Sequence, residues 1–529
     1  MVNNNDKNIA NEESFNRQYE EDLKGIRDQQ SREFKKLPFE DREKITRNIL
    51  INEIKLTNSE ACDNAEWIII TEDSKGKQTI KINCPILANH IMETQNLLFI
   101  RDNAMNAVLL YLYRDGYYNM ISDNEFKGFI LKYIPLKLQK TRDSKEVLDL
   151  LYQHAVYTSI ELLDPEKYIN FNDCLFNIEE WKCEPHSPKV YNTIRIMSNC
   201  PYMTEFIKPE YSIFDKYLND LTENDAEKRS IVLQFMGVAF SNICGYRLKK
   251  SLFMVGPGDT GKSKIKELIS RILGKKYCSS MDLSDLEERF STSQLNGKRL
   301  VGSNDMSFLT VKELKTFKKI VGGDDIPAEY KGLNKFDFIF KGIAWFCCNK
   351  LPKFGGDKGD WVYNRIVILN CNNVIPEENR IKDIVERMLC EIEYIIYLAL
   401  EELKKVIENN YGYILPNESK EALNEYKTEN NSFLKFFKEC TKERQEEKIK
   451  DSCSCKKLYD VYVAWCKDNN NGFKETKNEV RKYLKSIEKD KRKTIHGVNY
   501  WSQFTLTYDT KLEYKLIYGY DGHDDVTYK

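Results

Sequence analysis

Eight consecutive residues, Gly256-Pro257-Gly258-Asp259-Thr260-Gly261-Lys262-Ser263, have the types and spacing of a phosphate-binding loop, G-x-x-x-x-G-K-[ST]. A glycine-rich turn lets successive backbone N–H groups converge on a phosphate, and the helix that follows adds partial positive charge at its N-terminus. In this pattern Lys262 reaches the β- and γ-phosphates of a nucleotide, and the Ser263 hydroxyl ligates Mg2+. The flanks agree with the motif. Leu252 to Val255 is an apolar run of strand length, and Ile265, Leu268, Ile269 and Ile272 recur at helical spacing after Ser263.

Further polar groups follow at the ends of apolar runs. Leu300-Val301-Gly302-Ser303-Asn304-Asp305 reads as a short strand ending in a carboxylate, suited to hold Mg2+ and to help position an attacking water. Ile343 to Cys348 reads as a buried strand tipped by Asn349 and broken off by Leu351-Pro352, which places Asn349 to sense a γ-phosphate. Tyr330 to Phe336 is turn-rich and carries Lys331 and Lys335, while Arg365 stands just before the apolar run Ile366 to Leu369. From Leu252 to about Asn370, apolar strands alternate with amphipathic helices, which predicts an α/β domain built on a parallel sheet.

In this order and spacing the chain resembles the superfamily 3 helicases of the AAA+ class, specifically the phage, plasmid and pox-virus helicase-primase family. The resemblance covers most of residues 85–505. Its Walker A, Walker B, B-prime, sensor and arginine-finger motifs fall on Gly256 to Ser263, Asp305, Gly322-Gly323-Asp324, Asn349-Lys350-Leu351-Pro352 and Arg365. Upstream, Leu112-Tyr113-Arg114-Asp115-Gly116-Tyr117-Tyr118 and Ile169-Asn170-Phe171-Asn172 resemble the family's collar. Downstream, Leu458 to Cys466 resembles the first helices of its winged-helix domain. Asp305 stands where glutamate is usual, and Asn364-Arg365 where two arginines are common. The resemblance implies an ATP- and Mg2+-dependent homo-hexamer translocating 3′ to 5′ on single-stranded DNA, with Lys331 and Lys335 in the pore and Arg365 acting in the neighbouring subunit. It is most similar to replication initiators of mobile elements, such as the Rep helicases of phage-inducible chromosomal islands. That implies origin duplex and host replication proteins as partners, in the cytoplasm of a bacterial host. Residues 1–84 hold no zinc-ribbon cysteine set and no metal-binding Asp-x-Asp on a strand, so primase activity is not expected. Two rivals stay open: an origin-binding initiator regulated by ATP without unwinding, and a nucleotide or small-molecule kinase.

Composition narrows the setting. At 529 residues the chain needs several cores, and 81 basic against 82 acidic residues leave a net charge of -1, so any nucleic-acid surface is local. The 15 cysteines are scattered without a C-x-x-C pair, which reads as reduced thiols of a cytoplasmic protein rather than a disulfide framework or zinc site. No apolar run approaches a membrane span, and the first residues lack the pattern of a signal peptide.

Six segments are expected: a charged appendage with helices and a hairpin (1–84), a mainly helical collar (85–230), the ATPase (231–415), a linker (416–429), a winged-helix domain (430–510) and a tail (511–529). Helices are predicted near Phe15 to Ile26, Ile45 to Ile54, Val147 to Leu162, Ile231 to Ile243 and, as one long element, Ile381 to Asn409. Trp67 to Thr71 and Thr79 to Ile82 flank a hairpin turn, and Leu109 to Tyr113 reads as a strand before an Asp115-Gly116 turn. Phe433 to Cys440, Lys456 to Lys467 and Thr476 to Glu488 read as three helices before a strand-like Gly497 to Thr507. On the third, Lys477, Arg481 and Lys485 recur at i, i+4 and i+8 and are expected to meet duplex DNA, while Val480, Tyr483, Leu484 and Ile487 pack inward.

Overall fold

A computed structural model of the chain describes residues 32–58, 64–102, 107–204, 206–306, 310–311, 313–331, 335–354, 360–444, 454–469 and 474–514. The helix expected at Phe15 to Ile26, the tail beyond residue 514 and the tip Gly332-Leu333-Asn334 lie outside these. The chain forms two compact units, one reaching Leu163 and including Ser187–Ile194, the other comprising Asp164–His186 and the chain from Arg195 onward.

In the first unit the helix Phe39–Thr57, the hairpin Ile68–Glu72 with Gln78–Ile82, and the helices Cys84–Thr94, Asp123–Leu131 and Thr141–His154 share a core. Trp67, Leu87, Ile91, Phe126, Ile130 and Tyr133 are buried there, and the Trp67 indole donates to the Tyr133 carbonyl at 2.9 Å. A four-stranded sheet runs in the order Tyr117–Met120, Ala107–Arg114, Leu97–Asp102, Tyr157–Thr158. The Asp115-Gly116 turn needs positive φ at both residues, 51° and 85°. The expected helix Val147 to Leu162 instead starts at Thr141 and stops at His154, because Tyr157–Thr158 pairs beside Leu97–Asp102. Residues 85–230, expected as a mainly helical collar, mix helices with strands of this sheet and of a three-stranded one, Tyr168–Asn170, Leu175–Asn177 and Lys182–Glu184.

The second unit is a mixed α/β fold on a five-stranded parallel sheet, consistent with an AAA+-like core. We label its strands β1 (Ser251–Val255), β2 (Cys278–Ser279), β3 (Leu300–Val301), β4 (Ile343–Cys348) and β5 (Ile366–Asn370) and the helix after β1 as α1 (Lys262–Leu273). Spatial order is β2-β3-β4-β1-β5. Both faces are covered, so the strands are nearly continuous apolar runs. Leu252, Met254, Trp345 and Leu369 face α1 and the helices Ala226–Phe240 and Ile392–Glu408, whereas Phe253, Phe346 and Ile368 face Phe317, Ile320 and Val362.

Two expectations fail here for identifiable reasons. Ile381 to Asn409 is not one helix: Ile384–Leu389 and Ile392–Glu408 are separated at Cys390-Glu391, where the Glu391 carboxylate accepts from the Ile213 N–H at 2.8 Å and so caps the helix Ile213–Leu221. The segment 416–429, expected as a linker, is the helix Asn417–Asn430. Its Glu418 pairs with buried Lys228 at 2.6 Å, and Tyr426 is buried beside Phe354 and Tyr363. Beyond it lie helices Ser432–Cys440, Cys455–Asp468 and Lys477–Ser486 around Phe433, Phe436, Tyr462 and Trp465. The strand-like run from Gly497 is a turn and two strands, since Gly497 has φ 79° between Arg492–Ile495 and Val498–Trp501, and Phe504–Leu506 pairs with Thr441–Glu443. Among the described residues no helix is long and apolar enough to cross a membrane.

Candidate functional site

The loop between β1 and α1 is held in a cradle by its own backbone requirements. Gly256 has φ 153°, and a Cβ there would lie 2.0 Å from the Cys371 carbonyl oxygen, so no larger residue fits. Asp259 and Gly261 take positive φ, 62° and 93°, which turns the chain into α1. The Tyr217 hydroxyl donates to the Gly261 carbonyl at 2.6 Å and fixes the end of the turn. Inside it, the buried Lys262 ammonium donates to Gly256 O at 2.9 Å, Pro257 O at 2.6 Å and Thr260 Oγ1 at 3.0 Å. No side chain caps α1, so its first N–H groups are left facing the loop, an anion-binding arrangement.

The neighbouring strands deliver their polar groups to the same edge. Past β3 the chain keeps running alongside β4, with Cys347 N donating to Ser303 O at 2.9 Å and Met306 N to Cys347 O at 2.7 Å. This sets Asp305, exposed, beyond the carboxyl end of the sheet. The Ser263 hydroxyl donates to the adjacent Asn304 carbonyl at 2.7 Å, which ties the first turn of α1 to the segment bearing Asp305. Asn349 is the first residue past β4 and is exposed. Lys262, Ser263, Asp305 and Asn349 thus come from the carboxyl ends of the adjacent strands β1, β3 and β4. A hydroxyl and a carboxylate are oxygen donors of the kind that Mg2+ takes.

Arg365 is not brought to this edge. Its carbonyl accepts from Ser251 N at 2.7 Å, at the opposite end of β1, roughly 16 Å of strand from the loop. Its guanidinium donates to Trp361 O at 2.7 Å and lies over the Trp361 ring. Gly322 and Gly323 end the helix Lys315–Gly322, and a Cβ on Gly323 would meet the Tyr246 ring at 2.7 Å; Asp324 follows, exposed.

Three residues that pattern reading passes over belong to the site. Arg380 Nη2 lies 3.1 Å from Asp259 Oδ2, and Ile375 N donates to Asp259 O at 3.0 Å, so a segment beyond β5 grips the loop. Tyr217 is the second, far upstream of the loop. Lys266 is the third: one helical turn after Lys262 it is buried and donates to the Gly302 carbonyl, and burial pushes its ammonium down to about 8. Its i+4 spacing from Lys262 is the signal that could have found it.

The basic residues expected to meet DNA stand on two projections. Lys331 and Lys335 are exposed on either side of the tip of the hairpin Ile326–Glu329 with Lys335–Phe338, where Phe336 stacks on Tyr330 at 5.2 Å. Lys477, Arg481 and Lys485 are exposed on one face of the helix Lys477–Ser486, while Val480 and Leu484 are buried beneath, as the spacing predicts. Lys491, Arg492 and Lys493 are exposed at the start of the hairpin that follows.

Residues 254–365 match a family of unknown function (DUF5906). The chain is 26% identical over 232 residues to "Putative helicase 121R" of Invertebrate iridescent virus 3, which is 37% of this chain and 24% of that protein, so it spans about a quarter of that relative's length. Among solved structures it is similar to the apo C-terminal region of NrS-1, at a TM-score of 0.43 and 12% identity over 80% of this chain and 99% of that one. A second structure of the same region gives 0.44 and 13% over 79% and 98%. The relationship supported is a distant one to viral helicase-type proteins, broader than the island Rep initiators expected from sequence.

Proposed function

We propose that this chain is an ATP-dependent DNA helicase that works as a homo-hexameric ring and initiates replication at an origin. The observation that carries the reading is the division of the nucleotide machinery between the two ends of one sheet. Lys262, Ser263, Asp305 and Asn349 gather at the carboxyl edge, while Arg365 stands at the amino edge, too far along the strand to serve this chain's own loop. Lys262 holds the β- and γ-phosphates of ATP, Ser263 and Asp305 hold Mg2+, Asn349 contacts the γ-phosphate and Arg365 stabilises charge in trans. The hairpin lysines Lys331 and Lys335 grip the backbone of one DNA strand in the pore, and translocation runs 3′ to 5′. Lys477, Arg481 and Lys485 present a winged-helix face to origin duplex.

Mixing Lys262→Ala with Arg365→Ala protein tests the division. Each alone hydrolyses ATP far more slowly than wild type, and a mixed ring regains part of the activity, because some interfaces combine an intact loop with an intact arginine. No rescue at any ratio, with assembly confirmed by mass, assigns Arg365 a structural role. Strand displacement on a forked substrate separates the helicase from an initiator that binds the origin without unwinding, and stimulation of hydrolysis by single-stranded DNA separates both from a small-molecule kinase.

A further inference from the structure

Three cysteines far from the nucleotide loop meet at one point. Cys174 lies between the strands Tyr168–Asn170 and Leu175–Asn177, Cys183 is on Lys182–Glu184, and Cys200 belongs to an irregular stretch that follows. Their sulfurs all lie within 4.8 Å of one another, with Cys183 and Cys200 3.5 Å apart. Cys174 and Cys200 are buried, and Cys183 is half-buried. Sulfurs bound at about 2.3 Å around a tetrahedral zinc lie about 3.8 Å apart, so the trio already approximates one face of that tetrahedron.

The surroundings hold the trio in place. Cys200 N donates to the Asp173 carboxylate at 2.9 Å, which fixes the third cysteine against the loop bearing the first. Phe176, Trp181 and Tyr202 meet one another stacked or edge-to-face, with ring centroids 5.0–5.9 Å apart, in the same core. Between residues 195 and 212 the described residues contain no helix or strand, yet Cys200 is only 3% exposed. Ile196 N donates to Asn170 O at 2.8 Å and Asn172 N to Ser198 O at 2.9 Å, and a metal at Cys200 would add a further tie where these backbone bonds end. The sequence hid the trio because its members are separated by 8 and 16 residues, outside the short spacings of zinc motifs.

We propose that Cys174, Cys183 and Cys200 form a three-thiolate site for a soft divalent cation, zinc, that pins the 195–212 stretch to the three-stranded sheet. Thiolate donors select such a cation over Mg2+, which keeps this site chemically distinct from Ser263 and Asp305. No fourth His, Cys, Asp or Glu joins the trio among the described residues, so water completes the shell. Half-buried Cys183 is the side from which the ion enters.

The full-length chain, reduced and stripped with a chelator, is to be incubated with Zn2+ alone, freed of excess and its metal counted. Co2+ loading reports thiolate ligation directly through near-ultraviolet charge-transfer absorption. The expected result is one equivalent in the wild type, lost in Cys183→Ser and kept in Cys390→Ser. The Cys183 loss should exceed the roughly 100-fold that removing even an outer-shell partner can cost in affinity. Cys183 is only half-buried, so its variant is the one expected to fold, and a thermal melt checks this. Equal metal in wild type and Cys183→Ser, or no charge-transfer band, overturns the proposal and leaves three core thiols.

Discussion

Lys262 spends its three N–H donors on Gly256 O, Pro257 O and Thr260 Oγ1, so the ammonium is poised at the centre of an already formed cradle. Lys262→Ala is expected to lower ATP turnover by about 100- to 1000-fold, the scale of removing one charge-stabilising donor, with little change in Tm. Turnover within tenfold of wild type would take the loop out of catalysis. Asp259 puts a carboxylate beside the space for a polyphosphate, and Arg380 neutralises it. Arg380→Ala should therefore raise KM for ATP about fivefold at unchanged kcat, since an exposed pair is worth about 1 kcal/mol, and Asp259→Asn in the same chain should restore it. An unaltered KM would show that the pair is only superficial. Lys266 gives a pH signature. Folded, it releases its proton near 8; unfolded, near 10.5. Between those values the unfolded chain binds more protons, so stability rises with pH. Denaturant titrations of wild type and Lys266→Met should thus shift in favour of wild type by up to about 3 kcal/mol between pH 8 and 10.5, and a flat difference would contradict the buried amine. The loop itself was legible because its pattern is a set of backbone requirements at adjacent positions. Arg380 and Tyr217 were not, because their roles exist only once distant segments meet.

At the scale of elements, β1, β3, β4 and β5 and the amphipathic α1 were readable from periodicity, since burial on both faces imposes long apolar runs. Periodicity could not show that Glu391 interrupts its helix to cap another, nor that polar Asn417–Asn430 is helical; its mostly polar surface hides one decisive Tyr426. The hairpin bearing Lys331 and Lys335 is short and paired in register from Ile326↔Phe338 to Glu329↔Lys335, so it can carry substitutions at its tip without disturbing the sheet. Lys331→Ala and Lys335→Ala should leave DNA-free hydrolysis intact while each flattens the salt dependence of single-stranded DNA binding by about 0.7 in logarithmic slope. Fluorescence anisotropy across a salt series reads this directly, and an unchanged slope returns both lysines to the solvated surface.

For the whole molecule, the return of residues 187–194 to the first unit rests on contacts such as the Tyr118 hydroxyl to the Pro188 carbonyl, 70 positions apart, and no composition shift marks it. The helix Asn417–Asn430 decides where the chain can be cut. Its Glu418 meets Lys228 and the Asn370 side chain, and its Asn430 accepts from Phe354 N at 3.0 Å. A chain ending after Asn431 should keep ATP hydrolysis and lose salt-sensitive duplex binding with Lys477, Arg481 and Lys485. One ending at Pro416 should be less stable by about 3–5 kcal/mol from the loss of the buried Tyr426 ring alone. Melting curves and duplex titrations of the two truncations check both, and equal melting points would place Asn417–Asn430 outside the folding unit.

The hydrogen bond from Tyr217 to Gly261 carries one more consequence. Tyr217 sits on a helix whose first N–H groups are capped by Glu391, so the geometry of an eight-residue loop is inherited from two segments that lie before residue 254 and after residue 365. The stretch recognisable by family likeness also omits β5 and the first three residues of β1. The loop is therefore not portable: grafted elsewhere, or expressed within the borders of that likeness, it would carry every motif letter without the Tyr217, Cys371 and Arg380 moorings that give those letters their shape.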